Sequence, residues 1–271
     1  MPGGRAVRHP WRVQGASPAV FARADTVSLP LLGGMARPDG VVIATERFFA
    51  FAGRDGSLVE GEMPDVPRLV RRIPLLRGLA RLGMSVSPLL GRDGVASSRE
   101  RLFLTAVVLS PLLFVFLSGT VSLVAGIVMT IGLLAWLLRG RTLYLHGAEH
   151  RAIAAAEEGR LSATWDGNDA PSRFSLRCGT NFVALVLPVG LLADRLWPFA
   201  TTLWTPALVA LLTLGLTMEL WRVVQGSSLP AARAFLVPGL ALQRLTTREP
   251  TLDETRLALT AVASVLRREL D

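Results

Sequence analysis

At 271 residues, with 51% hydrophobic and only 18% charged residues and a mean hydropathy of +0.43, the chain is too apolar for a simple water-soluble enzyme, where about a quarter of residues are charged. It is also too apolar for a disordered protein. All 29 basic residues are arginine, against 21 carboxylates, for a net charge of +8. The arginines border apolar segments, so the charge points to a membrane surface rather than to nucleic acid. The single cysteine, Cys178, excludes an internal disulfide.

Residues 1–32 are rich in Gly, Pro, Ala and Arg and read as a flexible extension; no cleavable signal is expected there, since no apolar core follows Arg5, Arg8, Arg12 and Arg23. Within residues 33–100, the β-branched and aromatic run 41–52, the segment Gly53-Arg54-Asp55-Gly56 and the run 57–62 predict a β-hairpin. Over 68–82 apolar residues and arginines alternate at near-helical spacing, interrupted by Pro74. This predicts an amphipathic helix lying on the anionic inner leaflet, with nucleic-acid binding as the weaker reading.

Four uncharged runs follow. Residues 102–117 and 121–138, with a turn at Ser118, Gly119 and Thr120, form a first hairpin over 101–139. Residues 182–192 and 203–221, with Trp197 and Trp204 at the far end, form a second over 181–224. A bilayer core of about 30 Å needs roughly 20 helical residues, so the expected architecture is mainly α. It is a four-helix polytopic membrane protein with a small N-terminal β-hairpin and cytoplasmic amphipathic helices. Arginines crowd the termini and the segment 140–180, while the opposite loops hold only Arg195. This bias predicts a multi-pass protein of the bacterial inner membrane with both termini cytoplasmic. Four helices make a small bundle, which a homodimer would enlarge. In the tail 225–271, Thr251-Leu252-Asp253-Glu254 after Pro250 is a capping-box pattern opening an amphipathic helix with Leu252, Leu259, Val262 and Leu266 on one face. Residues 159–172, rich in Gly, Asn, Asp and Ser, predict an exposed loop.

The chemistry concentrates in His146-Gly147-Ala148-Glu149-His150. Spacing of four puts both imidazoles on one helix face, one turn apart, where they can share an ion. H-x-x-E-H is also the inverted zinc-peptidase pattern, in which the glutamate is the general base. A cluster of polar residues at a helix end is the plainer alternative. Glu157 lies on the same face, but about 10 Å further along the axis, beyond reach of one ion. Cys178, Glu219 or Asp39, brought in by tertiary packing, are the candidates for the third ligand. Arg177 and Arg248 are candidates to hold an anionic substrate group.

The sequence resembles the YqhQ-like family of bacterial membrane proteins. The likeness runs from about Gly33 to the C-terminus. It is carried by Gly33-Gly34-Met35-Ala36, His146 to His150, Ala156-Glu157, Arg177-Cys178-Gly179-Thr180, the Glu219 segment, and Pro238-Gly239-Leu240 leading to the run 242–250 (LQRLTTREP). Met35 stands where the family has Gln, Asp39 where it has Glu, and Ser175-Leu176 where it usually has His-Pro. The resemblance implies a metal-dependent enzyme. Two functions therefore stand side by side. One is a membrane-embedded zinc hydrolase with His146, His150 and Cys178 or Glu219 as ligands and Glu149 as base. The other is a non-catalytic membrane scaffold, which the serine at position 175 favours.

Overall fold

The segment around Asp55-Gly56 folds as antiparallel strands and recruits more of them than expected. The computed structural model describes residues 7–10, 17–91, 94–114, 119–227 and 229–271. It opens with β1 (Val7–Pro10), α1 (Ser17–Ala24), β2 (Gly33–Arg37), β3 (Gly40–Ala44), β4 (Phe48–Gly53) and β5 (Ser57–Glu62). These form one five-stranded antiparallel sheet in the order β1-β5-β4-β3-β2. The run 41–52, expected as a single hairpin arm, is two strands, because Thr45 breaks it. Its hydroxyl accepts from the amides of Arg47 (3.2 Å) and Phe48 (3.1 Å) and closes a tight turn.

Strand alternation then sorts the side chains. Val41, Ile43, Ala50 and Ala52 face one way into the main core, and Val42, Phe49, Phe51 and Val59 form a second cluster. Helices follow: α2 (Arg68–Arg72), α3 (Leu76–Leu90), α4 (Ser98–Phe114), α5 (Gly119–Leu137), α6 (Thr142–Glu157), α7 (Leu161–Asp166), α8 (Gly179–Arg195), α9 (Thr205–Gly226), α10 (Pro230–Ala234), α11 (Val237–Thr246) and α12 (Leu252–Leu270). Pro74 separates α2 from α3, as its place in the basic stretch predicts.

The main core lies between the sheet and two helices distant in sequence, α6 and α12. α12 begins with the expected capping box: Thr251 accepts from the amide of Glu254, whose carboxylate reaches back to the amide of Thr251. Its apolar face buries Leu259, Val262 and Leu266 completely, whereas Leu252, expected on the same face, opens the helix and stays 40% exposed. The amphipathic tail helix is thus the central helix of the core.

Two segments expected to be loose belong to this core. Phe21 of α1 is fully buried, with its ring centroid 5.5 Å from that of Trp165 on α7. Asp25 accepts from the amides of Leu161 (2.8 Å) and Ser162 (3.0 Å), satisfying the free N–H groups that open α7. The extension 1–32 is therefore anchored from Ser17 onward, residues 1–6 and 11–16 lying outside the described residues. The segment 159–172 carries a short helix with Leu161 buried rather than an exposed loop. Polar composition hid one anchoring phenylalanine and one capping aspartate.

The four-helix membrane architecture is also overturned. Among the described residues, one helix, Thr205–Gly226, is long and apolar enough to cross a membrane, and only 28% of its apolar window is buried. The other runs fall short when their helices are drawn. Among the described residues, α4 starts among Arg99, Glu100 and Arg101, the apolar stretch of α5 is Val124–Trp136, and α8 has 17 residues ending in Asp194 and Arg195. The expected turn at Ser118 lies outside the described residues, and Gly119 and Thr120 open α5. Hydropathy counted apolar residues but could not see where helices begin, nor that a sheet with two helices supplies the main core.

Candidate metal centre

Alanine, leucine and glutamate favour the helix of α6, which ends at Glu158 with Gly159 at φ +64°. This helix places His146 and His150 one turn apart, with ring centroids 4.5 Å from each other. Each imidazole is oriented by a backbone carbonyl. Nδ1 of His146 lies 2.9 Å from the carbonyl oxygen of Thr246, the last residue of α11. Nδ1 of His150 lies 2.7 Å from that of Arg173. A carbonyl can only accept, so both Nδ1 atoms carry the proton, and both Nε2 atoms present a lone pair.

Cys178 completes the group. It is the N-cap of α8, where its sulfur accepts from the Thr180 amide (3.4 Å) and hydroxyl (3.2 Å). Its Sγ stands 3.2 Å from Nε2 of His146. One ligand atom from each of His146, His150 and Cys178 lies within 4.8 Å of the others. Nε2 of His150 is buried with no hydrogen-bond partner, a costly state for a polar atom unless something else takes its lone pair. Carbonyl-fixed tautomers, converging lone pairs and an orphaned nitrogen together fit a metal ion.

Glu149 lies beside this group, buried, with its carboxyl pressed against β2. Gly34 makes that approach fit: a Cβ there would stand 2.7 Å from Glu149 Cγ and Oε1. Burial pushes its pKa up to about 8, against a hydrogen bond from the Ala36 backbone. Burial, then the Glu149 charge, pushes the Cys178 thiol up to about 11. Burial lowers His146, and burial followed by the His146 charge lowers His150 to about 3. Near neutral pH the four groups are uncharged, so the imidazole lone pairs are free for a metal and the thiol has its proton to give up. Binding then releases protons.

A stability profile follows for the metal-free protein. As pH falls below about 6.5, the unfolded chain protonates histidines that the fold keeps neutral, so the fold loses stability down to about pH 3. Glu149 acts in the opposite sense. Its proton is held in the fold up to about pH 8 but lost from the unfolded chain near 4.5, so its contribution disappears as pH rises between these values. The unfolding temperature of chelated protein is expected to peak near pH 6.5 and decline on both sides. A thermal scan from pH 4.5 to 8 checks this, and a continuous rise toward pH 8 would contradict it.

The other candidates are engaged with partners of their own. Glu219 accepts two hydrogen bonds from Arg77 of α3, at 2.9 and 2.5 Å, and a third from Arg222. Asp39 is held by Arg37 at 2.8 and 2.9 Å. Arg177 pairs with Glu157, and Arg248 donates to the carbonyls of Arg244 and Thr247. Sequence reasoning missed the residues that hold the rim. Arg151 is buried and donates to the Pro171 carbonyl and to Glu249. Gln243 and Asn181, both fully buried, grip the backbone at Ser175. Gln243 and Glu249 stand in the specific run 242–250 and Asn181 directly follows Thr180, but nothing in their spacing points to carbonyl contacts.

The family model "Protein of unknown function (DUF1385)" matches residues 100–268, and the chain belongs to that family. The match includes the histidine pair, Cys178 and α12. Uncharacterized protein YqhQ of Bacillus subtilis (strain 168) is similar, 27% identical over 299 aligned residues that cover 89% of this chain and 93% of its own. No solved structure matches the chain.

Proposed function

We propose that the protein is a membrane-attached, zinc-dependent hydrolase whose metal is held by His146, His150 and Cys178. The partnerless Nε2 of His150, beside a second fixed imidazole and a thiol, carries this reading. Three protein ligands leave one coordination position free, the pattern of catalytic rather than structural zinc. Bound zinc supplies Lewis acidity, polarising a substrate oxygen and making water more acidic. Glu149, whose burial holds its carboxyl up to about 8 in the metal-free protein, would be the base for the attacking water, because a divalent cation beside it would favour its ionised form. Arg177 and Arg248, at the ends of the segments that orient the site, engage an anionic group of the substrate.

For the membrane, α9 is the anchor. Strands before it and α12 after it share one core, so α9, with α8 packed along it, attaches that core to the bilayer while both ends of the chain stay on one side. The arginine bias supports a metal centre on the cytoplasmic side. The scaffold reading keeps one observation, Ser175 in place of the family's usual histidine.

Glu149→Gln separates the two readings. Against a panel of ester, amide and phosphoester substrates, wild type is expected to turn over at least one class. The variant is expected to keep its zinc and lose about 10²–10⁴-fold in rate. Zinc-loaded wild type inert on every class, or a variant as active as wild type, would leave the scaffold reading in place.

A further inference from the structure

The segment immediately after α9 carries a surface that the catalytic reading does not use. Helix α11 buries Leu236, Gly239 and Gln243 against α8 and the loop at Ser175. Its opposite face is apolar as well. Val237, Leu242 and Leu245 are exposed, Leu245 at 65%, and Leu229 and Phe235 extend the stripe back toward the end of α9 at Gly226. A short helix that is apolar on both faces is covered by something. Residues 227–248 also contain three arginines and no carboxylate. Among the described residues, Arg233, Arg244 and Arg248 have no acidic partner. Among the described residues after α6, the other exposed apolar helix faces belong to α8 and α9.

We infer that residues 229–248 form an interfacial docking face for an anionic lipid leaflet. The stripe inserts to headgroup depth, and Arg233 and Arg244 meet lipid phosphates. Position, apolarity and charge agree on this occupant: the segment leaves the end of α9 within three residues and carries only positive charge. The face ends at the metal centre, because Thr246, which closes α11, supplies the carbonyl that orients His146. An anionic leaflet held against α11 therefore places the rim of the site at the headgroups. This inference rests on the reading of α9 as a membrane anchor.

The test uses full-length protein in lipid nanodiscs, with a fluorophore attached at Leu245→Cys, Leu211→Cys on α9, or Glu158→Cys at the end of α6. Wild type, whose Cys178 is buried, serves as the labelling blank. Brominated lipids quench fluorophores that touch the bilayer. The Leu245 and Leu211 probes are expected to be quenched and the Glu158 probe spared. Brominated anionic lipid should quench the Leu245 probe at least twofold more than brominated zwitterionic lipid at the same mole fraction. Adding Arg233→Gln and Arg244→Gln should abolish that difference. An unquenched Leu245 probe beside a quenched Leu211 probe overturns the inference alone, and so does equal quenching by the two lipids. If neither probe is quenched, the membrane anchor falls with it.

Discussion

His150→Ala is expected to lose stoichiometric zinc, with affinity falling by more than about 10³-fold. Loss of a mere outer-shell partner costs roughly 10–100-fold, and His150 is proposed as a direct ligand. Nε2 of His150 has no other work in the fold, being buried and unbonded. Its removal should therefore spare the apo structure more than it harms binding. His146→Ala should behave alike, and Cys178→Ser should weaken binding, because a hydroxyl is a poor substitute for thiolate. Glu149→Gln should keep its metal. Competition against a chelating dye measures each affinity, and circular dichroism verifies the fold. Zinc retained by His150→Ala at wild-type affinity would remove His150 from the ligand set.

Gly147→Ala sets two effects of opposite sign against each other. Helix propensity alone makes alanine better by about 1 kcal/mol inside α6. The site forbids it. A Cβ on Gly147 would stand 2.1 Å from the carbonyl oxygen of Arg248, whose amide is bonded to the Leu143 carbonyl at 2.9 Å. The 242–250 run lies directly on the helix at this point. Its backbone would have to move by an ångström or more, taking the Thr246 carbonyl away from His146. The clash is expected to prevail, with a net loss of about 3 kcal/mol. For a chain of this size that lowers the unfolding temperature by roughly 6–12 °C, and zinc affinity falls with it. An unchanged or raised unfolding temperature would mean that the strap does not rest on Gly147.

The contrast between His150 and Gly147 shows what could be read in the chain. The i, i+4 histidines and the glutamate between them are a local pattern, and local patterns survive folding. Cys178 was among the candidates for third donor, but so were Glu219 and Asp39, and only packing could separate them. Both carboxylates are taken by arginines, Arg77 and Arg37, far from them or near them in sequence. The two carbonyls that fix the imidazole tautomers are backbone atoms, which no residue type announces. Likewise, Gly34 and Gly147 were legible as motif members, while their reason, close approach of Glu149 and of Arg248, is tertiary.

The fold was less legible than the site. The capping box and the apolar face of α12 were plain, yet nothing local says that this face covers strands some 200 residues earlier. Thr45 split an apparent strand, Phe21 and Asp25 tied down an apparent tail, and long apolar runs suggested four spans where one helix qualifies among the described residues. In each case composition was right about polarity and silent about partners.

The most direct measurement is X-ray absorption at the zinc edge on protein loaded with one equivalent of zinc. The proposed centre predicts a four-coordinate shell with two imidazole nitrogens at about 2.0–2.1 Å and one sulfur at about 2.3 Å, the fourth position being a light atom. The His150→Ala protein, given the same equivalent, should lack this shell and show only loosely held, oxygen-rich zinc, and the sulfur contribution should vanish in Cys178→Ser. A shell of oxygen and nitrogen alone in the wild-type protein, or one that the His150 and Cys178 substitutions leave unchanged, would contradict a metal centre built from His146, His150 and Cys178.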